Sequence, residues 1–234
     1  MTFRWLVLDL SAPLIAFGGV AVDQVGPTRE FPAASMLTGL LANALGWRWS
    51  EREAHQALQD RLLFGACIAR EGRVIEDVQN AKLEKGDRGW TTFGAPEGRD
   101  GASFDAPHRR QRRYLADVRA LVVLRLTPPG ESPDDEALAA ALDRPARPLY
   151  LGRKPCLPSR PLRLGRVEGA DAHEALRAAL AMAGGIRPAR AQWPRGQGPD
   201  GERAFDLADL RDWRTGLHGG ARPVVEGFLS DAAP

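Results

Sequence analysis

The chain has 234 residues and a mass of 25.4 kDa, which is long enough for one large domain or two small ones with a buried core. Hydrophobic residues make up 44% and charged residues 26%, a balance that excludes a disordered or fibrous chain. The formal net charge of +2 does not by itself indicate a polyanionic partner.

The first elements along the chain are a strand and two helices. Aromatic and branched residues predict a strand over Phe3–Leu10, followed by a glycine-containing loop. The apolar run Leu6–Val22 is too short to span a bilayer. Helical spacing covers Ala33–Leu45, where Met36, Leu37, Leu40 and Leu41 are expected in the core. A second helix is predicted from Ser50 to Leu62.

The middle of the chain predicts a hairpin and a long insertion. Phe64–Arg70 and Arg73–Val78 flank Glu71-Gly72, which favours pairing between these two segments. The segment Gln79–Arg113 then shows little apolar periodicity and contains isolated aromatic residues. A loop of this length inside a compact domain is usually functional or disordered.

The remaining elements are shorter. Strand character resumes over Tyr114–Thr127, and a cap followed by proline and acidic residues predicts a short helix from Ser132 to Leu142. The Pro-rich segment Arg147–Val167 contains strand-like pieces, and Asp171–Met182 is helical. Residues Gln192–Pro234 mix short strands and turns. The order of elements up to residue 145 is compatible with a ferredoxin-like split βαβ sheet that carries an extended arm.

Basic residues cluster in two places. Arg144–Arg166 holds seven basic side chains and no acid, and His108–Tyr114 holds four arginines beside an aromatic ring. Arginines among aromatic residues suit single-stranded nucleic acid, because guanidinium groups bind phosphates and flat rings stack on bases. A solvated basic face that balances acids elsewhere is the alternative.

No catalytic or metal-binding constellation stands out. The four histidines, His55, His108, His173 and His218, are scattered and lack metal-ligand spacing. His55, on the second predicted helix, is expected to be a surface or boundary residue rather than a base. The start of a helix explains the acidic run at residues 134–136. Cys67 and Cys156 form neither a disulfide framework nor a metal motif, which fits a reduced cytoplasmic compartment. We therefore expect no cofactor and no metal.

Four ordered segments resemble the CasD subunits of type I-E CRISPR Cascade complexes, members of the RAMP superfamily. Ser11–Gly18 is similar to their "APMQAWG"-type turn, and Gly26–Gly46 is similar to "PT-x-x-FP-x-x-S-x-L-x-GLL-x-x-x-LG". Arg112–Asp117 is a third segment, and Pro148–Cys156 is close to "PYLGRRSC". The resemblance is poor beyond residue 170.

The resemblance implies an α+β fold with a ferredoxin-like domain at residues 1–145 and a smaller mixed region at 146–234. It places a protruding hairpin, the thumb, at residues 79–113. It also implies a non-catalytic, cytoplasmic RNA-binding subunit that holds the 5′ handle of the CRISPR RNA at one end of the complex. The implied partners are that RNA, the neighbouring backbone subunit, the large subunit and target DNA, with no membrane. Target sequence would be read by base pairing.

Most candidate RNA contacts lie in the segments that carry the resemblance, and Arg109 and Arg110 come shortly before the third of them. The candidate contacts also include the start of the helix at Ala33, for which two interpretations stay open, namely N–H groups that are free for an anion and a buried capping segment. The candidate RNA-binding residues are Thr28, Arg29, Ser35, Arg109, Arg110, Arg112, Arg113, Tyr114, Tyr150, Gly152, Arg153 and Lys154, and the candidate thumb residues are Arg88, Trp90 and Phe93. The residues Val122–Leu126 contain no aromatic ring, so stacking of bases on the sheet face is not expected.

Two alternative functions stay open. Related subunits of type I-C systems cut precursor RNA without metal, using Tyr, His and Lys side chains, for which Tyr114, His108 and Lys154 are the candidates here. The second alternative is a purely structural cap that binds neighbouring proteins and contacts target DNA with its basic face.

Overall fold

A computed structural model describes residues 1–21, 23–81, 88–90, 96–98, 108–185 and 188–230. Within these ranges the helices are α1 (Ala34–Ala44), α2 (Arg52–Arg61), α3 (Asp135–Asp143) and α4 (Ala172–Met182). The strands are β1 (Phe3–Ser11), β2 (Leu14–Ile15), β3 (Val25–Gly26), β4 (Leu62–Arg70), β5 (Arg73–Ala81), β6 (Arg88–Trp90), β7 (Pro96–Gly98), β8 (His108–Ala116), β9 (Arg119–Leu126), β10 (Arg163–Gly169), β11 (Ala189–Pro194), β12 (Arg203–Leu207) and β13 (Arg222–Leu229).

The α+β class predicted from the sequence is confirmed, and each predicted helix is present. Gly46 follows α1 with φ of +83°, the left-handed conformation that ends a helix most easily at glycine. Leu37, Leu40 and Leu41 are buried as expected, whereas Met36 is only half-buried and lines a cavity. No described helix has both the length and the apolar character needed to span a bilayer.

The main sheet has seven antiparallel strands in the order β10-β1-β9-β4-β11-β13-β12. One face packs Leu6 and Leu8 against α1 and α3, and the other packs Trp5 and Val7 against α4. The central strand β9 is thereby buried on both faces, so bases cannot stack on it. Residues of the region 146–234 contribute β10–β13 to this sheet, and the division at residue 145 stays a prediction.

The hairpin predicted between residues 64–70 and 73–78 is wrong. β4 pairs with β9 and β11 inside the main sheet, whereas β5 pairs along its whole length with β8, from Arg73 opposite Ala116 to Ala81 opposite His108. β4 is rich in apolar residues and is mostly buried in the main sheet, whereas β5 is mostly exposed and would not suit that buried position. The long hairpin therefore begins at Arg73 rather than at Gln79.

A buried ion pair stabilises the middle of the main sheet. Asp9 lies on β1 with its side chain 1% exposed, and its carboxylate accepts hydrogen bonds from Nε and Nη2 of Arg119 at 2.8–3.2 Å. Nη1 of Arg160 lies 3.5 Å from the same carboxylate. Burial of a carboxylate is tolerated only with such partners, because an unpaired buried charge is strongly destabilising.

We predict that Asp9→Asn lowers the free energy of unfolding by about 3 kcal/mol, because Arg119 loses the charge that compensates its own burial. Urea denaturation measures this loss. Asp143→Asn is the matched control, since Asp143 pairs with Arg163 at 2.6 Å in an exposed position where water screens the pair. Equal losses in the two variants would contradict this account of Asp9.

Candidate nucleic-acid interface

The four segments that carry the resemblance meet at the loop 148–156. Nη1 of Arg153 donates to the carbonyl of Arg113 at 3.0 Å, and Nη2 donates to the carbonyls of Gly26 and Pro27 at 2.9 and 3.1 Å. The same loop bonds the first segment, because the N–H of Ala16 donates to the carbonyl of Leu151 at 3.1 Å. The loop thus joins segments that are far apart in the sequence.

Gly152 has a structural reason to be glycine. Its φ is +86°, and a Cβ atom there would lie 1.7 Å from the carbonyl oxygen of Ala16. A side chain would therefore separate the loop from the residues after β1. Gly152, a candidate RNA-binding residue, is therefore also needed for close packing of this loop.

Most arginines of the basic segment 144–166 bind the protein itself. Arg147 donates to the carbonyls of Gly46 and Trp47 after α1, at 2.7 and 2.6 Å. Arg160, Arg163 and Arg166 pair with Asp9, Asp143 and Glu136 respectively. Lys154 is exposed and has no hydrogen-bond or ion-pair partner among the described residues. Most arginines of this segment are therefore bonded to nearby acids and carbonyls. This arrangement fits a basic face balanced within the protein better than a free phosphate-binding surface.

The second basic cluster is more accessible. We call Arg109, Arg110, Arg112 and Arg113 of β8 the basic arm. Arg109 and Arg110 are exposed and lie opposite Asn80 and Gln79 of β5.

The arginines of the basic arm make few contacts with the rest of the described chain, and these contacts leave their guanidinium groups accessible to solvent. Nε of Arg113 pairs with Glu76 at 3.1 Å, and Nη1 of Arg110 donates to the carbonyl of Asp23 at 3.3 Å. Arg112 is half-buried opposite Asp77. The basic arm therefore keeps more free cationic groups than the segment 144–166.

Three candidate residues face inward. Tyr114 is 4% exposed, and the guanidinium carbon of Arg153 lies 4.9 Å from the centre of its ring. Oγ1 of Thr28 accepts from the N–H of Phe17 at 3.0 Å and donates to the carbonyl of Arg29. Arg29 donates through Nη2 to the carbonyl of Ala208 at 2.5 Å. These groups stabilise the loops around β1.

Of the two interpretations of the start of α1, the structure supports the buried capping segment. The carboxylate of Asp209 accepts from the N–H of Ala34 at 2.9 Å, and its backbone carbonyl accepts from the N–H of Ser35 at 3.2 Å. Asp209 is buried and pairs with Arg222 at 3.0 Å. The protein thus supplies its own anion to the helix N-terminus, where a negative charge is favourable.

Beside α1 lies a cavity of about 480 Å³, which we call the aromatic cavity. Three candidate residues, Ser35, Tyr150 and Gly152, line it. Its walls include Trp47, Trp49, Trp213, His55, His218, Arg147 and Arg211, and no Asp or Glu is among the described residues that line it.

Sequence reasoning missed this cavity and treated His55 as a surface or boundary residue. His55 is instead 6% exposed, and its ring centre lies 4.8 Å from that of Trp213 and 5.6 Å from that of Trp47. The available signal was that two of the six tryptophans, Trp47 and Trp49, directly follow the first predicted helix.

One segment near the C-terminus forms the cavity wall opposite α1. The side chain of Gln59 on α2 donates to the carbonyl of Arg211 at 2.8 Å and accepts from Nε1 of Trp213 at 3.0 Å. Gln56 accepts from the backbone N–H of Trp213 at 3.0 Å. Two glutamines of α2 therefore fix the position of the Trp213 ring.

The candidate thumb residues are only partly located. Arg88 and Trp90 belong to β6, which pairs with β7 in a short two-stranded sheet. Phe93 lies outside the described residues.

Neither thiol suits nucleophilic chemistry. Burial raises the pKa of Cys67 to about 12 and also raises the pKa of Cys156. Within the described part of the chain, no cluster of His, Cys, Asp and Glu could hold a metal ion.

Comparison with known proteins defines the class of this chain. The family model for "CRISPR-associated protein (Cas_Cas5)" matches residues 5–225, so the chain belongs to this family of CRISPR-associated proteins. It is similar to the CRISPR system Cascade subunit CasD of Escherichia coli (strain K12), with 31% identity over 172 residues, 74% of this chain and 75% of the relative. This match confirms the resemblance that the four segments indicated.

Two solved structures share the fold. A chain of a CRISPR RNA-guided surveillance complex matches with a TM-score of 0.69 and 20% identity, covering 96% of this chain and 89% of that one. A second structure, described as a crystal structure of a Cas protein, matches with a TM-score of 0.60 and 25% identity, covering 97% and 95%.

We predict that Arg153→Ala and Lys154→Ala differ in their effects on stability. Arg153→Ala is expected to lower the free energy of unfolding by about 3 kcal/mol, because it removes charge-assisted hydrogen bonds to three carbonyls. Lys154→Ala is expected to change it by less than about 0.5 kcal/mol. Urea denaturation of both variants checks this, and wild-type stability in Arg153→Ala would mean that its guanidinium is free for a ligand.

Proposed function

We propose that this chain is a non-catalytic RNA-binding subunit of a Cascade-type CRISPR complex and that it holds the 5′ handle of the CRISPR RNA. Family membership and the similarity to a Cascade subunit support the assembly. The observation that carries the RNA-binding role is the basic arm, whose guanidinium groups project from a strand fixed to the loop 148–156.

The geometry suits contact with phosphates more than recognition of sequence. Side chains alternate between the two faces of a strand, so Arg110 and Arg112 share one face of β8 and Arg109 and Arg113 share the other. Arg153 holds the loop that carries Lys154 against the same strand through the carbonyl of Arg113. A single strand that follows this path would meet several cations fixed on a rigid sheet.

We infer that β1, β4, β9 and β10, together with α1–α3, form the ferredoxin-like unit that the family resemblance implies. Their order in the sheet, β10-β1-β9-β4, is the fourth, first, third and second strand of a βαββαβ unit. The hairpin of β5 and β8 is then the thumb, which we propose contacts the neighbouring backbone subunit and the first guide nucleotides.

The large subunit and target DNA complete the proposed contacts in the assembly. The likeness to a Cascade subunit supports them only in general terms. We place the protein in the cytoplasm, which its two free, buried cysteines are compatible with.

We predict that the triple variant Arg109→Ala, Arg110→Ala, Arg112→Ala weakens binding of handle RNA and flattens its salt dependence. Removing three phosphate contacts from a single strand should reduce the slope of log K against log salt by about 2. Titration of the full chain with labelled handle RNA at several salt concentrations measures both quantities.

The matched control removes three exposed arginines outside the basic arm, namely Arg144, Arg195 and Arg203. Both triple variants change the net charge equally, so a general field effect would alter both slopes alike. An unchanged slope in the basic-arm variant rules out these side chains as phosphate contacts. No binding of handle RNA to the wild-type chain, alone or assembled, would favour the structural cap.

We also propose that the chain does not cut RNA. A metal-independent ribonuclease built on Tyr114, His108 and Lys154 needs the tyrosine hydroxyl at the substrate. Tyr114 is buried and the guanidinium of Arg153 lies over its ring, so the side chain has a packing role and is not exposed to a substrate.

Incubation of the purified chain with precursor repeat RNA in EDTA checks this proposal. We expect the RNA to stay intact, because the buried hydroxyl of Tyr114 is not accessible to a substrate. Specific cleavage at the handle boundary that is lost in Tyr114→Phe would establish the enzyme instead.

A further inference from the structure

The aromatic cavity has the size and lining of a ligand site, and the basic arm does not account for it. Its volume of about 480 Å³ is in the range of small-molecule sites. Its rim is exposed at Trp49 and His218, and its floor is closed by Leu40 and His55, which are 5% and 6% exposed. A planar group can therefore enter from solvent and become buried.

The charges around the cavity favour an anionic ligand. Arg147 and Arg211 line it, and no carboxylate does so among the described residues. Arg147 donates to the carbonyls of Gly46 and Trp47, and Nη2 of Arg211 donates to the carbonyl of Gly216 at 2.8 Å. Both guanidinium groups keep their positive charge, because these carbonyls are neutral. Arg211 lies with its guanidinium carbon 5.1 Å from the centre of the Trp213 ring, and its buried Nε has no hydrogen-bond partner in the described structure. Cations held beside aromatic rings suit a nucleotide, which combines a flat base with a phosphate.

Polar groups in the cavity can bond the edge of a base. Nδ1 of His55 lies 2.7 Å from the carbonyl oxygen of Glu51. Because a carbonyl only accepts, Nδ1 carries the proton, and Nε2 of the neutral ring is an acceptor. Ser35 and Asn43 also line the cavity, although Nδ2 of Asn43 donates to the carbonyl of Pro148.

The loop 148–156 connects this cavity to the basic arm. Tyr150 and Gly152 line the cavity, and the next residue, Arg153, is bonded to β8. The cavity and the basic arm therefore border the same loop.

We propose that the aromatic cavity takes one base turned out of the bound RNA strand, stacked against its tryptophan rings. This proposal rests on the proposed RNA-binding function and assigns to it a base-binding site separate from the phosphate contacts. An apolar side chain of a neighbouring protein is the other occupant that the aromatic lining would accept. The polar lining groups Ser35, Asn43 and His55 favour the base, because an apolar side chain would leave them without hydrogen-bond partners from the ligand.

Gly39 offers a way to fill the cavity without removing any group. It lies on α1 and lines the cavity, and a Cβ atom there would approach only Cη2 of Trp213, at an ordinary 3.7 Å. Gly39→Leu is expected to occupy the space of the base. Gly39→Ala is the matched control, since it adds one carbon and favours the helix.

Handle RNAs that carry 2-aminopurine at one position each report stacking through loss of fluorescence. With the full wild-type chain we expect strong quenching at one position. Gly39→Leu should abolish that quenching and lower RNA affinity about tenfold, whereas Gly39→Ala should retain both. The basic-arm triple variant should change the salt slope more than the quenching of RNA that stays bound.

A second pair of variants covers the case in which Gly39→Leu does not fold. Trp49 is 64% exposed and lines the cavity, and Phe228 is 45% exposed on β13 and does not. Trp49→Ala should reduce the position-specific quenching, and Phe228→Ala should not.

Three results would overturn the proposal. The first is quenching and affinity that are unchanged in both cavity variants, which would show that the cavity takes no base. The second is lost assembly with a neighbouring subunit but unchanged RNA binding, which would assign the cavity to a protein side chain. The third is absence of RNA binding by the wild-type chain, which would also overturn the proposed function. This outcome differs from failure of the cavity proposal alone, in which the wild-type chain still binds RNA.

Discussion

One guanidinium group, that of Arg153, connects the parts of this protein on which its proposed function depends. Its three hydrogen bonds join the loop 148–156 to β8 and to Gly26 and Pro27, residues that are more than a hundred positions away along the chain. Hydrogen bonds from a charged donor to carbonyls are stronger than neutral ones and fix direction as well as distance. The aromatic cavity lies beside this loop and the basic arm lies on β8, so the relative position of the two depends on Arg153.

This arrangement changes the meaning of an arginine-rich composition. Most of the arginines in the segment 144–166 bind carbonyls or carboxylates of the chain, and these contribute little free positive field. The basic arm and Lys154 keep exposed cations, so local geometry, rather than the near-neutral net charge, decides where a polyanion can bind. At the start of α1 local geometry is again decisive, because the buried carboxylate of Asp209 occupies the position that a phosphate would otherwise take.

The sequence predicted the elements whose signals are local. Apolar periodicity and capping signals predicted all four described helices, and runs of aromatic and branched residues predicted β1 and β9. The pairing of β5 was missed because a Glu-Gly turn favours a local hairpin, whereas the burial of β4 on both faces is a property of the whole sheet. The aromatic cavity was missed for a related reason: Trp213 reaches the cavity that Trp47 also lines by donating hydrogen bonds to two glutamines of α2, which is far away in the sequence. The inward orientation of Thr28, Arg29 and Tyr114 likewise depends on contacts that no spacing reveals.

The central claim is that the leading end of the guide RNA lies along β8 and the loop 148–156. The most direct measurement is photo-crosslinking within the assembled complex, with 4-thiouridine at single positions of the 5′ handle and identification of the modified peptides by mass spectrometry. The account predicts modified peptides from residues 108–116 and 148–156 of this chain, with neighbouring handle positions reaching neighbouring residues. Crosslinks from the handle found solely in other subunits of an assembled, RNA-bound complex would contradict it.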